Sequence, residues 1–146
     1  MKWDFFLQIE HMNHWIIKSE PNTYSYQKLE KDGSTTWDGV RNYAARNNLK
    51  EMKKGDICCF YHSNEGKDIV GLAKVIKEHY QDPTTPDPAW VAVDIEPLEK
   101  LKKPVSLEQM KKEPMLQNID LIRIGRLSVS KLKKEEFDHI LGMSEK

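Results

Sequence analysis

The sequence predicts a single α+β domain in which a mostly antiparallel sheet curls into a small barrel flanked by short helices. Residues 57–62, 69–80 and 90–100 are rich in β-branched and aromatic residues and follow one another with no helical segment between them. Strands connected in this way are expected to be antiparallel neighbours. Short helical patterns before and after them are typical of the α+β class. The 146 residues suit one domain that needs no disulfide or metal to fold.

The first third of the chain is predicted to hold one strand and two helices. His14–Lys18 is a short apolar run with β-branched residues, which predicts the first strand. A short helix is predicted over 25–31, and a loop over 34–39. The best helix candidate is 40–53, because its residues allow helical spacing and Gly55 provides a natural stop.

The middle of the chain is predicted to form the centre of the sheet. The strand at 57–62 is hydrophobic on both sides, which indicates burial between two neighbours. Residues 64–67 are typical of a hairpin connection to the next strand. The proline-rich segment 82–88 cannot form a core element and therefore predicts a loop.

The C-terminal third is predicted to be mainly helical. Ser106 and Gln109 have the spacing of a capping box, which predicts a short helix over 104–110. The remaining predictions are a helical turn or short strand at 119–124, a final strand at 127–129 and a helix over 133–141 closed by Gly142.

The domain is predicted to span residues 14–146, preceded by a flexible extension at residues 1–13. Asp4 and Glu10 interrupt the apolar start of the chain, which makes it a poor signal peptide. No apolar run approaches the roughly 20 residues of a membrane span. We therefore expect a cytoplasmic protein, or a nuclear one in a eukaryote, with no membrane partner and with a monomer favoured.

The charges balance overall but are unevenly distributed. The chain carries 23 basic and 23 acidic residues, and residues 100–134 hold ten basic and three acidic groups, a local excess of +7. A neutral protein can still present one basic face to a polyanion. The same excess is also compatible with ordinary solvated lysines, so composition alone leaves both interpretations open.

The patterns of catalytic and metal sites are weak in this sequence. Cys58 and Cys59 are neighbours on a predicted strand, point to opposite faces and match no zinc spacing. A thiolate pair of either cysteine with His62 is conceivable, but strand thiols are more often inert. His62 and Ser63 also face apart. No metal or other cofactor is expected, and the prediction is that the protein is not an enzyme.

Recognition of a nucleic-acid base fits the residue types better. Stacking on an unpaired base needs aromatic faces, and its edge needs a few polar groups. Trp37 lies in a predicted loop and suggests a pocket, whereas Trp15 and Trp90 lie in predicted strands and suggest the core. Tyr61 also lies in a predicted strand, and a core position is an alternative for it. The candidate faces are Trp37, Tyr24, Tyr26, Tyr43 and Tyr61, the candidate edge readers are Ser19, Asn42, Ser63 and Ser128, and the candidate phosphate contacts are Lys18, Arg41, Arg46, Lys53, Arg123 and Arg126.

Seven motifs in order make the sequence resemble the EVE domain family. They are WIIKSEP at 15–21, YS at 24–25, WDGVRNY at 37–43, MKKGD at 52–56, FYHS at 60–63, DPAWVAVD at 87–94 and RLSV at 126–129. The resemblance spans about residues 14–143. It implies a PUA-like fold, which the modified-base readers of the YTH and SRA types share.

The resemblance also implies a function. EVE domains are expected to read a modified base, commonly a modified cytosine in DNA, without catalysis. Carried over by motif, the pocket would be lined by Ser19, Trp37, Asn42, Tyr61, Ser63 and Ser128, with Lys18, Arg41 and Arg46 near the nucleic-acid backbone. Lys53 and Arg126 are added to these backbone contacts because of their residue type. The family often has glutamine where Ala44 stands here. Two alternatives remain: an RNA-binding protein of the PUA-like sort, and an enzyme acting on a nucleotide-like small molecule.

Overall fold

The computed structural model describes residues 12–145, so the predicted extension at residues 1–13 lies outside the described residues except for its last two positions. Six strands and several short helices make up this part of the chain. In chain order they are β1 (His14–Ser19), α1 (Tyr26–Asp32), β2 (Thr35–Trp37), α2 (Tyr43–Glu51), β3 (Ile57–His62), β4 (Asp68–Gln81), β5 (Val91–Ser106), α3 (Leu107–Lys111), a 3-10 turn (Pro114–Leu116), α4 (Asp120–Arg123), β6 (Val129–Leu132) and α5 (Lys134–Glu145). The α+β class is confirmed.

All six strands belong to one mixed sheet in the order β2-β5-β4-β3-β1-β6. The pairs β3–β4 and β4–β5 are antiparallel, as predicted, and so are β2–β5 and β1–β6. Only β1 and β3 pair in parallel among the described residues, because the chain crosses over through α1, β2 and α2 between them. Since β2 and β6 are opposite ends of the sheet and do not pair with each other, the predicted closure into a barrel is not confirmed.

The neighbouring strands β1 and β3 are covered on both faces. Trp15 and Phe60 pack into one hydrophobic cluster, whereas Ile16 and Tyr61 pack into a second cluster on the opposite face. This division follows from strand alternation, in which successive side chains point to opposite sides. The prediction that 57–62 forms a central strand is confirmed.

Local signals fix where the helices begin. Ser25 caps α1 by accepting a hydrogen bond from the Lys28 N–H, and Asn42 caps α2 through the Ala45 N–H. The predicted capping box before α3 is present in full. The predicted helix at 40–53 is shorter at both ends and covers Tyr43–Glu51. It begins at Tyr43 because Asn42 adopts an extended backbone and caps the helix.

Three other boundaries differ from the prediction. Thr35–Trp37, predicted as loop, forms the edge strand β2, in which Trp37 pairs with Val93 of β5. The final strand lies at Val129–Leu132 because pairing with β1 sets its register. The last helix continues to Glu145, so Gly142 does not close it.

One glycine permits a close approach between α1 and the sheet. The Tyr26 ring lies against Gly71 of β4, and a Cβ atom at Gly71 would collide with that ring. The Tyr26 hydroxyl donates a hydrogen bond to the Leu72 carbonyl at 2.8 Å. Tyr26, which the sequence suggested as a stacking face, is therefore a buried core residue.

Candidate functional site

A large cavity opens where β1 ends and β2 leads into α2. Its volume is about 780 Å³. Its walls combine hydroxyl, amide, carboxylate and cationic groups with two aromatic rings. The lining residues are Lys18, Ser19, Glu20, Thr23, Tyr24, Thr35, Thr36, Trp37, Asp38, Gly39, Val40, Arg41, Asn42 and Ser128.

Trp37 is the aromatic centre of this cavity. The indole is half-buried and packs on one side against the core, with its ring centroid 5.5 Å from that of Phe60 in an edge-on arrangement. The Tyr24 ring lies edge-on at 6.3 Å. Because Trp37 is held by the core but also lines the cavity, it can offer a fixed aromatic surface to a planar ligand.

A buried carboxylate holds the loop that follows Trp37. Asp82 is fully buried and accepts hydrogen bonds from the Gly39 N–H at 2.8 Å and from Arg41 Nη1 at 2.9 Å. The Thr84 N–H and hydroxyl donate to its other oxygen. Gly39 has φ of +77°, a left-handed conformation that suits glycine. The cavity rim is thus fixed by a residue of the proline-rich 82–88 segment.

These hydrogen bonds also set the protonation state of Asp82. Burial alone would raise the pKa of this carboxyl, but the hydrogen bonds from Thr84, Arg41 and Gly39 outweigh burial and hold the pKa well below its ordinary value. Asp82 is therefore ionised at neutral pH and remains paired with Arg41.

Polar side chains surround Trp37 at the ends of the strands. The Ser19 hydroxyl donates to the Tyr24 carbonyl at 2.6 Å, and Asn42 Oδ1 accepts the α2 cap bond at 2.9 Å. Lys18 Nζ donates to the Gly125 carbonyl at 2.6 Å, and burial lowers the pKa of this amine. Burial and the neighbouring Asp82 carboxylate raise the pKa of Asp38.

Seven of the residues suggested by the sequence meet at this cavity. They are Ser19, Trp37, Asn42 and Ser128 from the predicted pocket, Tyr24 from the candidate aromatic faces, and Lys18 and Arg41 from the predicted backbone contacts. Their roles in binding stay predictions.

Tyr61 and Ser63 do not line the cavity. Tyr61 is buried in the core cluster on the other face of the sheet, because it neighbours Phe60 on a strand and must point the opposite way. Ser63 lies just beyond β3, where its N–H donates to the Ser19 carbonyl at 2.9 Å. The expectation that the Tyr61 ring faces a ligand is therefore not matched by the structure.

Three predicted backbone contacts lie away from the cavity wall. Arg46 donates to the Ala89 carbonyl and to the Asn47 side chain. Lys53 lies 4.0 Å from Glu78 beyond the end of α2. Arg126 is exposed in the loop between α4 and β6.

A second cleft of about 550 Å³ lies at the other end of β1 and β6. It is lined by four cationic residues, Arg123, Lys131, Lys133 and Lys134, together with the acidic Asp120 and Glu136. Part of the basic excess of residues 100–134 is therefore concentrated here. Lys134 forms an ion pair with Asp138. The cleft therefore carries charges of both signs, as an ordinary solvated protein surface does.

The groups that would support nucleophilic catalysis are used for structure. Cys58 and Cys59 are free, buried and divided between the two core clusters, which confirms that they face apart. Burial raises the pKa of both thiols, that of Cys59 to about 12, which disfavours thiolates. His62 Nε2 accepts a hydrogen bond from the Tyr26 N–H at 3.1 Å, and burial lowers the pKa of the imidazole.

Residues 12–145 contain no group of three or more metal-binding side chains placed to hold an ion. Within the same residues, no helix combines the length and the apolar character that crossing a membrane requires.

Sequence reasoning missed the two carboxylates that shape the site. From the sequence, Asp82 is only part of a predicted loop. No local pattern links it to Gly39, which is 43 positions away. Asp38 follows Trp37 directly and lines the cavity, so its position in the WDGVRNY motif was an available signal. Trp90 was expected in the core but is half-buried beside Tyr43.

A mixed sheet flanked by short helices, with a polar and aromatic cavity at the strand ends, defines the structural class of this protein. The same fold occurs in the YTH domain of Zygosaccharomyces rouxii MRB1 protein, with a TM-score of 0.59 over 92% of this chain and 87% of that chain, although sequence identity is only 14%. The likeness to YTH domains that the sequence implied is thus confirmed for the fold.

The chain belongs to the EVE domain family, whose model matches residues 13–143. It is 36% identical to mouse thymocyte nuclear protein 1 over 91% of this chain and 74% of the relative. A crystal structure of an Agrobacterium tumefaciens protein superposes with a TM-score of 0.89, at 41% identity over 90% of this chain and 92% of that one. Human THYN1 protein, crystallised in complex with DNA containing 5-methylcytosine, superposes with a TM-score of 0.86 at 34% identity, over 92% and 98% of the two chains.

Proposed function

We propose that this protein is a non-catalytic reader of a modified base in nucleic acid, with a 5-modified cytosine in DNA as its ligand. The observation that carries the proposal is the cavity beside Trp37, where a fixed indole adjoins hydroxyl, amide and carboxylate groups. A relative of this chain, human THYN1 protein, was crystallised with DNA containing 5-methylcytosine. That relationship supports the choice of base.

In this proposal each wall of the cavity recognises a different part of the nucleotide. The Trp37 ring stacks on the base, which leaves the hydrogen-bonding edge in the plane of the neighbouring polar groups. Asp38, which lines the cavity, accepts a hydrogen bond from the exocyclic amino group that cytosine carries and thymine lacks. Lys18, which also lines the cavity, supplies positive charge toward the phosphate.

A reader of this kind needs no reaction at the base. The buried thiols and the hydrogen-bonded His62 favour binding over turnover. We place such a protein where nucleic acid is found, in the cytoplasm or, in a eukaryote, in the nucleus. We also propose that it acts as a monomer.

The function is tested by measuring affinities for a panel of otherwise identical oligonucleotides. The panel carries cytosine, 5-methylcytosine or thymine at one position, in single-stranded and duplex DNA and in RNA. We expect the tightest binding to DNA with 5-methylcytosine, and recovered oligonucleotides of unchanged mass. Equal affinity for all bases would contradict the proposal, tighter binding to RNA would favour the RNA-binding alternative, and altered mass would favour an enzyme.

Asp38→Asn is expected to reduce the preference for 5-methylcytosine over thymine by about tenfold, near the low end of the discrimination that one base-edge contact provides. The two bases share the 5-methyl group and differ at the exocyclic position, which is an amino donor in one and a carbonyl acceptor in the other. At this position an asparagine amide can accept from the amino group or donate to the carbonyl, whereas a carboxylate can only accept. The ratio of the two dissociation constants measures the effect.

Asp138→Asn is the matched control for this substitution. Asp138 is an exposed aspartate on α5, paired with Lys134 and outside the cavity lining. The preference should stay at the wild-type value in this variant. An unchanged ratio in Asp38→Asn as well would show that Asp38 does not read the base edge.

A further inference from the structure

Four side chains form a layered stack on the surface next to the cavity, here named the outer stack: Arg41, Trp90, Tyr43 and Arg46. The Arg41 guanidinium carbon lies 5.6 Å from the centroid of the Trp90 ring. The Trp90 and Tyr43 rings are 4.9 Å apart with an interplanar angle of 32°, and the Arg46 guanidinium carbon lies 5.0 Å from the Tyr43 ring. The two rings thus lie side by side, with one guanidinium next to each of them.

The outer stack is held in place although much of it faces solvent. Arg41 is fixed by Asp82, and Arg46 donates to the Ala89 carbonyl at 3.0 Å. Tyr43 is 61% exposed and belongs to neither core cluster. A large aromatic ring that is ordered by its neighbours yet exposed adds little to folding, but it loses little conformational entropy when a ligand stacks on it.

The outer stack is continuous with the rim of the cavity. Arg41 and Asn42 line the cavity, and Tyr43 is the next residue, the first of α2. A strand with one base in the cavity can therefore bring its neighbouring nucleotide to the outer stack.

We propose that the outer stack is a second nucleic-acid contact, in which the base next to the one in the cavity packs on the open end of the stack, against the Arg46 guanidinium and the exposed part of the Tyr43 ring. This inference rests on the proposed function. The Arg41 charge is balanced by Asp82, so Arg46 provides the positive charge of this surface. An aromatic face and a guanidinium plane accept any base, and the contact adds affinity without sequence preference.

Tyr43→Ala tests the proposal with the same DNA oligonucleotides. We expect binding to weaken by about 5- to 150-fold, the range that corresponds to loss of one base–aromatic stack. The loss should be equal for 5-methylcytosine and cytosine, so their affinity ratio stays at the wild-type value. Tyr43→Phe should bind like the wild type because it keeps the ring. Leu98→Ala is a control at an exposed apolar residue on β5, away from the outer stack, and should also leave binding unchanged.

Oligonucleotides with an abasic site on either side of the modified cytosine identify the contact. The wild type and Tyr43→Ala should bind the oligonucleotide that lacks the stacked base with affinities within twofold of each other. If Tyr43→Ala binds the intact DNA like the wild type, or if its loss persists with both abasic strands, the outer stack is not a base contact. Neither result bears on the preference for 5-methylcytosine over cytosine. A wild-type protein without that preference would contradict the proposed function.

Discussion

Asp82→Ala is expected to lower the free energy of unfolding by about 3 kcal/mol, the low end of the range for a broken buried ion pair, because Arg41 keeps part of its exposure to water. The substitution leaves the Gly39 N–H and the Thr84 N–H without their acceptor. It also releases the loop that shapes the cavity rim. Urea denaturation followed by circular dichroism measures the loss, and affinity for 5-methylcytosine DNA should fall with it.

Asp87→Ala provides the matched control in the same segment. Asp87 is exposed and accepts a hydrogen bond from the Ala89 N–H at 2.9 Å, so its loss should cost less than about 1 kcal/mol. A similar cost for both substitutions would contradict the anchoring role of Asp82.

The effect of pH on the two unfolding free energies, that of the wild type and that of Asp82→Ala, distinguishes the contribution of the Asp82 charge from that of its packing. The pKa of Asp82 is lowered in the folded protein, so its ionised form stabilises the fold fully above the ordinary aspartate value of 3.8. That stabilisation is lost as the pH falls below 3.8 toward the lowered pKa. The difference in unfolding free energy between wild type and Asp82→Ala should therefore be constant near neutral pH and shrink in acid. A difference that stayed constant in acid would point to packing alone.

The fold was predictable wherever one segment carried its own signal. The apolar segment 57–62 could only be a strand covered on both faces, and it lies between β1 and β4. Ser106 and Gln109 form the predicted capping box because both partners lie within one helical turn. The short strand β2 had no such signal, since its three residues become a strand only by pairing with β5.

The cavity was predictable in part, because several of its residues belong to short sequence motifs. Trp37, Asn42 and Ser19 belong to motifs that lie at strand ends, and all three line one cavity. Tyr61 was assigned to the pocket although strand alternation against the buried Phe60 places it on the other face. The pairing of Arg41 with Asp82 could not be inferred, because the two residues are 41 positions apart and only the tertiary fold joins them.

Trp37→Ala is expected to weaken binding of 5-methylcytosine DNA by roughly 1–3 kcal/mol, the value of one base–aromatic stack. The reason is that the indole presents the fixed aromatic surface of the cavity. The same substitution should destabilise the fold by about 2 kcal/mol, less than for a fully buried tryptophan, because the ring is half-buried against Phe60. Isothermal titration measures the first effect, and urea denaturation measures the second.

Trp37→Leu separates stacking from packing. Leucine keeps an apolar side chain against Phe60 but has no aromatic face, so stability should recover in part while affinity stays low. Trp37→Phe keeps a smaller ring and should retain more affinity than either variant. If Trp37→Leu bound the modified base as tightly as the wild type, Trp37 would serve the core alone. The base would then have to be held by the polar wall of the cavity, where Asp38 and Ser128 lie.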